Sequence, residues 1–132
     1  MNRSASLHVP YVIQSRGRLL DLTEGVIMGI LNVTPDSFYD GGKFTEESFI
    51  IERTAVLLSE GASIIDIGGM SSRPGAQPVS YEEERSRVIP AIRSLRRNFP
   101  EAFISIDTWR AAIARESLDE GADIINDISA GT

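Results

Sequence analysis

With 132 residues, of which 42% are hydrophobic and 24% charged, the chain is the size of one globular unit and carries no low-complexity run. Its formal net charge of −6 disfavours nonspecific binding to nucleic acid or to an anionic membrane surface. There is no cysteine and His8 is the single histidine, which excludes disulfides, thiolate metal sites and histidine clusters.

The first 20 residues, "MNRSASLHVPYVIQSRGRLL", hold no continuous apolar stretch. No secretory signal is expected, and a cytoplasmic location is. No run approaches the length of a membrane span. "YVIQ" and "RLLDL" are short apolar strands on either side of Ser15-Arg16-Gly17, and Gly17 suits a turn position with positive φ. They predict a hairpin. After Gly25 the pattern becomes a repeat of strand, loop and helix.

Val26–Leu31, "VIMGIL", is a continuous apolar run, as a strand buried on both faces requires. The next helix is capped by Thr45, carries Glu46 and Glu47 at its positive end and stops at Gly61. Ser63–Gly68, "SIIDIG", is the second strand of the repeat. A long loop leads to Ser80-Tyr81-Glu82-Glu83, a capping box. That helix runs to about Asn98 with a kink at Pro90. Ala102–Asp107 is the third strand, Thr108 is the expected cap of a helix ending at Gly121, and Ala122–Ile128 is the fourth strand.

Strands alternating with helices imply a parallel sheet with right-handed crossovers. The rhythm suits a Rossmann-like sheet or a (β/α)8 barrel, and periodicity alone leaves both open. Neither GxGxxG nor GxxxxGK[ST] is present, so dinucleotide and P-loop readings lack support.

Polar side chains collect where the strands end: Asn32 after the first, Asp66 in the second, Asp107 after the third, Asn126 and Asp127 after the fourth. In parallel α/β folds that end is where ligands bind. Each residue also has a plain structural reading. Asp and Asn cap helices, Gly41-Gly42 is loop, Ser71 and Ser72 can bond their own backbone, and Arg73 can be solvated. Asn32-Val33-Thr34 matches a glycosylation sequon, read here as fortuitous. Asp66 is more telling, because a carboxylate inside an apolar strand must find partners or shift its pKa.

"GILNVTPDSFYDGG" (Gly29–Gly42) and "GASIIDIGGMSSRPGA" (Gly61–Ala76) resemble the first two signatures of the dihydropteroate synthase family. "SIDT" and "INDISAG" are similar to its third and fourth strand-end motifs. The resemblance implies a (β/α)8 barrel. This chain would supply its first half, strands one to four behind the N-terminal hairpin, as part of a single domain over residues 1–132. It implies transfer of a pterinylmethyl group from 6-hydroxymethyl-7,8-dihydropterin diphosphate to 4-aminobenzoate, with Mg²⁺ and release of diphosphate. By the same resemblance Asn32 is a ligand of the Mg²⁺, and Asp40 and Arg73 are catalytic. Asp107, Asn126 and Ile128 bind the pterin, and Phe38, Ser72 and Pro74 border the aminobenzoate. Ser72 stands where the family has threonine. A homodimer is implied for the full-length form, with neither nucleic acid nor membrane as partner.

The family's later-strand aspartate, lysine and arginine–histidine pair have no counterpart here, so the 132-residue chain alone is expected to be inactive. Two other readings compete: a methyltetrahydrofolate-binding module, disfavoured by the N-x-T-P-D-S-F loop, and a non-catalytic half-barrel that binds a partner. The inward faces are expected to hold Ile27, Ile30, Ile65, Ile104 and Ile124, or their alternating neighbours. Residues 33–43 and 69–79 are expected to be the least ordered internal segments.

Overall fold

The computed structural model describes residues 12–23, 25–34, 46–69 and 79–126. Strands β1 (Val12–Ser15) and β2 (Arg18–Asp21) pair antiparallel through Arg16-Gly17. Arg16 has φ 55° and Gly17 φ 80°, so both loop residues take the left-handed conformation that a two-residue hairpin with the strands' own twist requires.

Then come β3 (Ile27–Asn32), α1 (Glu46–Ser59), β4 (Ala62–Gly68), α2 (Tyr81–Asn98), β5 (Phe103–Asp107), α3 (Ala111–Glu120) and β6 (Ile124–Asn126). The last four strands form one parallel sheet in the order β3-β4-β5-β6. This is the expected order, and with the helices it builds half of a (β/α)8 barrel.

The helices cover one face of the sheet. Leu31, Ile65, Ile67, Ile104 and Ile106 are buried there with Ile50 and Leu57 of α1, Val88, Ile89, Ile92 and Leu95 of α2, and Ile113 of α3. Ile65 and Ile104 therefore point at the helices, so on β4 and β5 it is their alternating neighbours that face inward. The register explains this. Met28, Ile64 and Phe103 share one face, as do Ile30, Asp66, Ser105 and Ile124 one step further along. Ile65 and Ile104 fall on the opposite, alternate face. Of the expected inward residues, Ile30 and Ile124 are on the concave side.

The helix ends follow their caps with one exception. Glu83 N donates to Ser80 Oγ (3.1 Å) and Ser80 N to the Glu83 side chain (3.5 Å), which closes the capping box. α2 continues through Pro90, because Pro90 and Ser86 are both exposed and water can satisfy the carbonyl that proline leaves free. Thr108 does not cap α3. The N-cap is Arg110, at φ −93° and ψ 120°, and Thr108 Oγ1 accepts from Arg110 N at 3.1 Å, forming a turn one step earlier. The expected cap Thr45 lies outside the described residues.

The hairpin closes the N-terminal end of the sheet, opposite the strand ends that carry the polar side chains. Arg18 stacks on the Phe103 ring at 4.2 Å and donates to the carbonyls of Glu101 (2.9 Å) and Ala102 (2.8 Å). It also pairs with Asp123 at 2.6 Å, just before β6.

Candidate functional site

The register sets four positions in one row across the sheet: Asn32 opposite Gly68, Gly68 opposite Asp107, Asp107 opposite Asn126. Each is the last residue of its strand, so three polar side chains line the concave rim. Val33 N continues the ladder by donating to Gly68 O at 2.7 Å, which fixes the exit of β3 just beyond Asn32. Asn32 is exposed, while Asp107 and Asn126 are partly covered.

Gly68 gives the row its shape. A Cβ built on it would meet Asn32 Oδ1 at 3.8 Å, Asp107 Oδ2 at 3.8 Å and Asp107 Cβ at 3.7 Å. Its missing side chain thus leaves a gap flanked by an amide oxygen and a carboxylate oxygen. A glycine inside a strand commonly marks such a close approach.

Asp66 sits one layer below the rim and not in the row itself. It is 4% exposed and accepts a hydrogen bond from Ser105 Oγ at 2.7 Å. Burial pushes its carboxyl above the usual aspartate range, and hydrogen bonding from Ser105 and Asn126 opposes that rise. The buried carboxylate has both found partners and shifted its pKa. It forms the floor under the gap and steadies Asn126 beside it.

Asp40, Arg73, Phe38, Ser72, Pro74, Ile128 and Asp127 lie outside the described residues, as do nearly all of the two loops expected to be least ordered. Of the site residues expected from the sequence the structure therefore places Asn32, Asp107 and Asn126, and brings them onto one edge. No group of three or more His, Cys, Asp or Glu able to hold a metal occurs among the described residues. Asn32 alone offers one neutral oxygen. That fits a Mg²⁺ held mainly by phosphate oxygens and water, since Mg²⁺ takes few protein ligands.

Sequence reasoning missed Gly68 as the residue that opens the gap. The signal was there: Gly68 follows Asp66 by two, so it shares the face of the polar residues.

Comparison with known proteins finds similarity over most of the chain. The family model described as pterin binding enzyme matches residues 28–132. A dihydropteroate synthase of Streptococcus pyogenes serotype M18 is 47% identical over 115 residues, 87% of this chain and 43% of that protein. The structure of Xanthomonas albilineans dihydropteroate synthase with 4-aminobenzoic acid superposes with a TM-score of 0.82 at 41% identity, covering 91% of this chain and 44% of that one. The same enzyme in complex with 7,8-dihydropteroate gives 0.78 at 38% identity, with 91% and 43% covered. The chain thus spans less than half the length of these relatives.

Proposed function

Because the chain belongs to the pterin-binding enzyme family, we propose that it carries the pterin side of a dihydropteroate synthase site. The reaction joins 4-aminobenzoate to 6-hydroxymethyl-7,8-dihydropterin diphosphate. The observation that supports it best is the row Asn32–Gly68–Asp107–Asn126, with two oxygens flanking an open gap over Gly68.

A pterin is a flat heterocycle with a donor-rich edge, and a carboxylate and an amide side by side read such an edge by paired hydrogen bonds. In this reading Asp107 and Asn126 hold the ring and Ile128 packs beside it. Asn32 faces the diphosphate, and its side-chain oxygen would be the protein's ligand to a Mg²⁺, which when bound would supply charge neutralisation for the leaving diphosphate.

The bond from the pterin methylene to the diphosphate oxygen breaks and its electron pair leaves with diphosphate. The aminobenzoate nitrogen donates its lone pair to the methylene and then gives up a proton. Charge that develops on the pterin is positive, and Asp40 stabilises it. Arg73 braces the diphosphate, while Phe38, Ser72 and Pro74 border the aminobenzoate. These loop assignments and the homodimer rest on the resemblance, and the cytoplasmic location on the character of the N-terminal sequence. No helix among the described residues is long and apolar enough to cross a membrane.

The test is a product assay. Protein expressed from its complete reading frame is expected to form dihydropteroate from the two substrates, and its failure to do so would overturn the reading. The 132-residue chain alone is expected to form none.

A second measurement addresses the row directly. Gly68 is not among the glycines with positive φ, and an added methyl would make only ordinary contacts at 3.7–3.8 Å. Gly68→Ala is therefore expected to leave stability within about 1 kcal/mol of the parent. The same methyl would occupy the gap between Asn32 and Asp107. Pterin affinity is expected to fall by on the order of tenfold to a hundredfold, since overpacking costs about 1–3 kcal/mol and each ~1.4 kcal/mol is tenfold. Calorimetric titration checks it, and unchanged affinity would mean that the ligand does not sit over Gly68.

A further inference from the structure

The connection between β4 and α2 is held at both described ends by arginines. Where it leaves β4, Gly69 O accepts from Arg87 Nη1 at 2.8 Å. Gly69 lies directly on α2, and a Cβ there would come within 3.0 Å of Val88 Cγ2 and 3.4 Å of Glu84 Cγ. Where the connection arrives at α2, Val79 O accepts from Arg110 Nη2 at 2.7 Å. Arg110 is not part of that connection. It follows β5, three residues after Asp107.

Arg110 does three things at once. Nη1 donates to Glu84 Oε1 at 2.7 Å, Nη2 holds Val79, and the guanidinium lies 4.4 Å from the Trp109 ring centroid. A planar fork with fixed donor directions can do this, and a flexible ammonium cannot. Glu84 is wholly buried, and its Oε2 has no hydrogen-bond partner. A carboxylate in that position is costly unless it is paired, and Arg110 is its pair.

Holding α2 against α3 does not require this joint. Arg85 already grips Glu116 at 2.7 Å, and Arg93 grips Glu120 at 2.8–2.9 Å, both on the solvent side. The buried pair lies at the rim end instead, between the segment after Asp107 and the end of the β4–α2 connection.

We propose that Arg110 and Glu84 are positioning residues, a buried joint that fixes the exit of the β4–α2 connection against the rim segment carrying Asp107. That connection holds Ser72, Arg73 and Pro74. The inference rests on the proposed synthase reading for its catalytic consequence, though not for the joint itself. In the synthase reading the residues assigned to aminobenzoate belong to that connection, so loosening its described exit at Val79 is expected to act on the rate with that substrate.

The test uses protein from the complete reading frame with Arg110→Ala, Arg110→Lys, Glu84→Gln and the double variant Glu84→Gln/Arg110→Ala. Arg110→Ala is expected to lower kcat/KM for 4-aminobenzoate by on the order of tenfold to a hundredfold, the scale of a small misplacement. Pterin affinity, set by the sheet residues, should stay within about twofold of the parent, well under the tenfold that 1.4 kcal/mol makes. Added guanidinium should restore much of the lost rate. Adding Glu84→Gln to Arg110→Ala should cost nothing further, as for two groups acting as one unit.

Arg110→Lys keeps a charge beside Glu84 but cannot also reach Val79, so it should fold and still lose rate. Parental kinetics in Arg110→Lys, or an Arg110→Ala that loses only thermal stability and does not respond to guanidinium, would overturn the proposal. Amide hydrogen exchange at residues 79–84 and 108–111 is read in parallel. If the parent makes no dihydropteroate, the synthase reading fails, and exchange still decides the joint. Faster exchange in both segments of Arg110→Ala supports it, and unchanged exchange overturns it.

Discussion

The purified 132-residue chain is expected to self-associate as its concentration rises. Among the described residues β3 and β6 each pair on one side only, so two strand edges present free backbone donors and acceptors. Beside the β3 edge, Ile27 is 59% exposed, Met28 39% and Ile30 51%. Covering a fully exposed aliphatic side chain is worth about 1.5–3 kcal/mol, so these three, each about half exposed, are together worth about 2–4 kcal/mol. That is a sizeable share of a domain's typical stability of about 5–15 kcal/mol. The helix-side core is intact, however, and it does not depend on the open face. Association of folded chains is therefore expected ahead of a loosely packed state. Sedimentation over a hundredfold concentration range, with thermal unfolding at each end, checks this. A monomer throughout, melting in one sharp concentration-independent transition, would contradict it.

This expectation is narrower than the sequence alone supports, and the reason lies in particular residues. In "SIIDIG" and "FISID" isoleucines stand on both sides of the polar residues, so apolar content alone does not mark which isoleucines face the helices. The sequence expectation therefore names Ile65 and Ile104 or their alternating neighbours without choosing between them. The polar residues carried the missing information. Asp66 and Gly68, Ser105 and Asp107, and Ile124 and Asn126 are spaced by two, and they share a face in the register. Reading outward from them assigns Ile65, Ile67, Ile104 and Ile106 to the helices. The strand order and the rim row were legible because long apolar runs ended in polar residues at each repeat. Thr108 was misread as a cap because its hydroxyl bonds Arg110 N, two residues on, which the composition of a turn does not distinguish from a true N-cap.

The joints between distant segments were illegible for a different reason. Arg18 and Asp123 are 105 residues apart in the chain, and nothing local to either announces the other. The same holds for Arg110 and Glu84. A buried ion pair leaves no periodic trace. Its only sequence signal is a charge beside an apolar strand, and surface charges give the same signal.

Replacing Asp123 is expected to be the most destabilising single change at a polar residue outside the rim. Its side chain is fully buried and receives four donors. Arg18 Nη2 approaches Oδ1 at 2.6 Å, Arg96 Nη2 approaches Oδ2 at 2.9 Å, Ile104 N donates to Oδ2 at 2.9 Å, and Ser15 Oγ donates to Oδ1. One carboxylate thus joins the hairpin, the end of α2 and the start of β5 to β6. Removing it leaves two arginines that are 13% and 14% exposed without their counter-charge. Breaking a buried pair from one side costs about 3–5 kcal/mol. Asp123→Ala should therefore lower the unfolding free energy by that amount. Asp123→Asn should not rescue it, because an amide has one oxygen and would turn its NH₂ toward other donors. Glu120→Gln supplies the contrast: its pair with Arg93 is on the surface, with side-chain exposures of 26% and 55%, and its loss should cost less than about 1 kcal/mol. Urea unfolding at low micromolar concentration, where association is minimal, distinguishes them by midpoint at constant slope. An Asp123→Ala midpoint as close to the parent as that of Glu120→Gln would mean that the arginines are rehydrated in place, and that the hairpin is not anchored through this carboxylate.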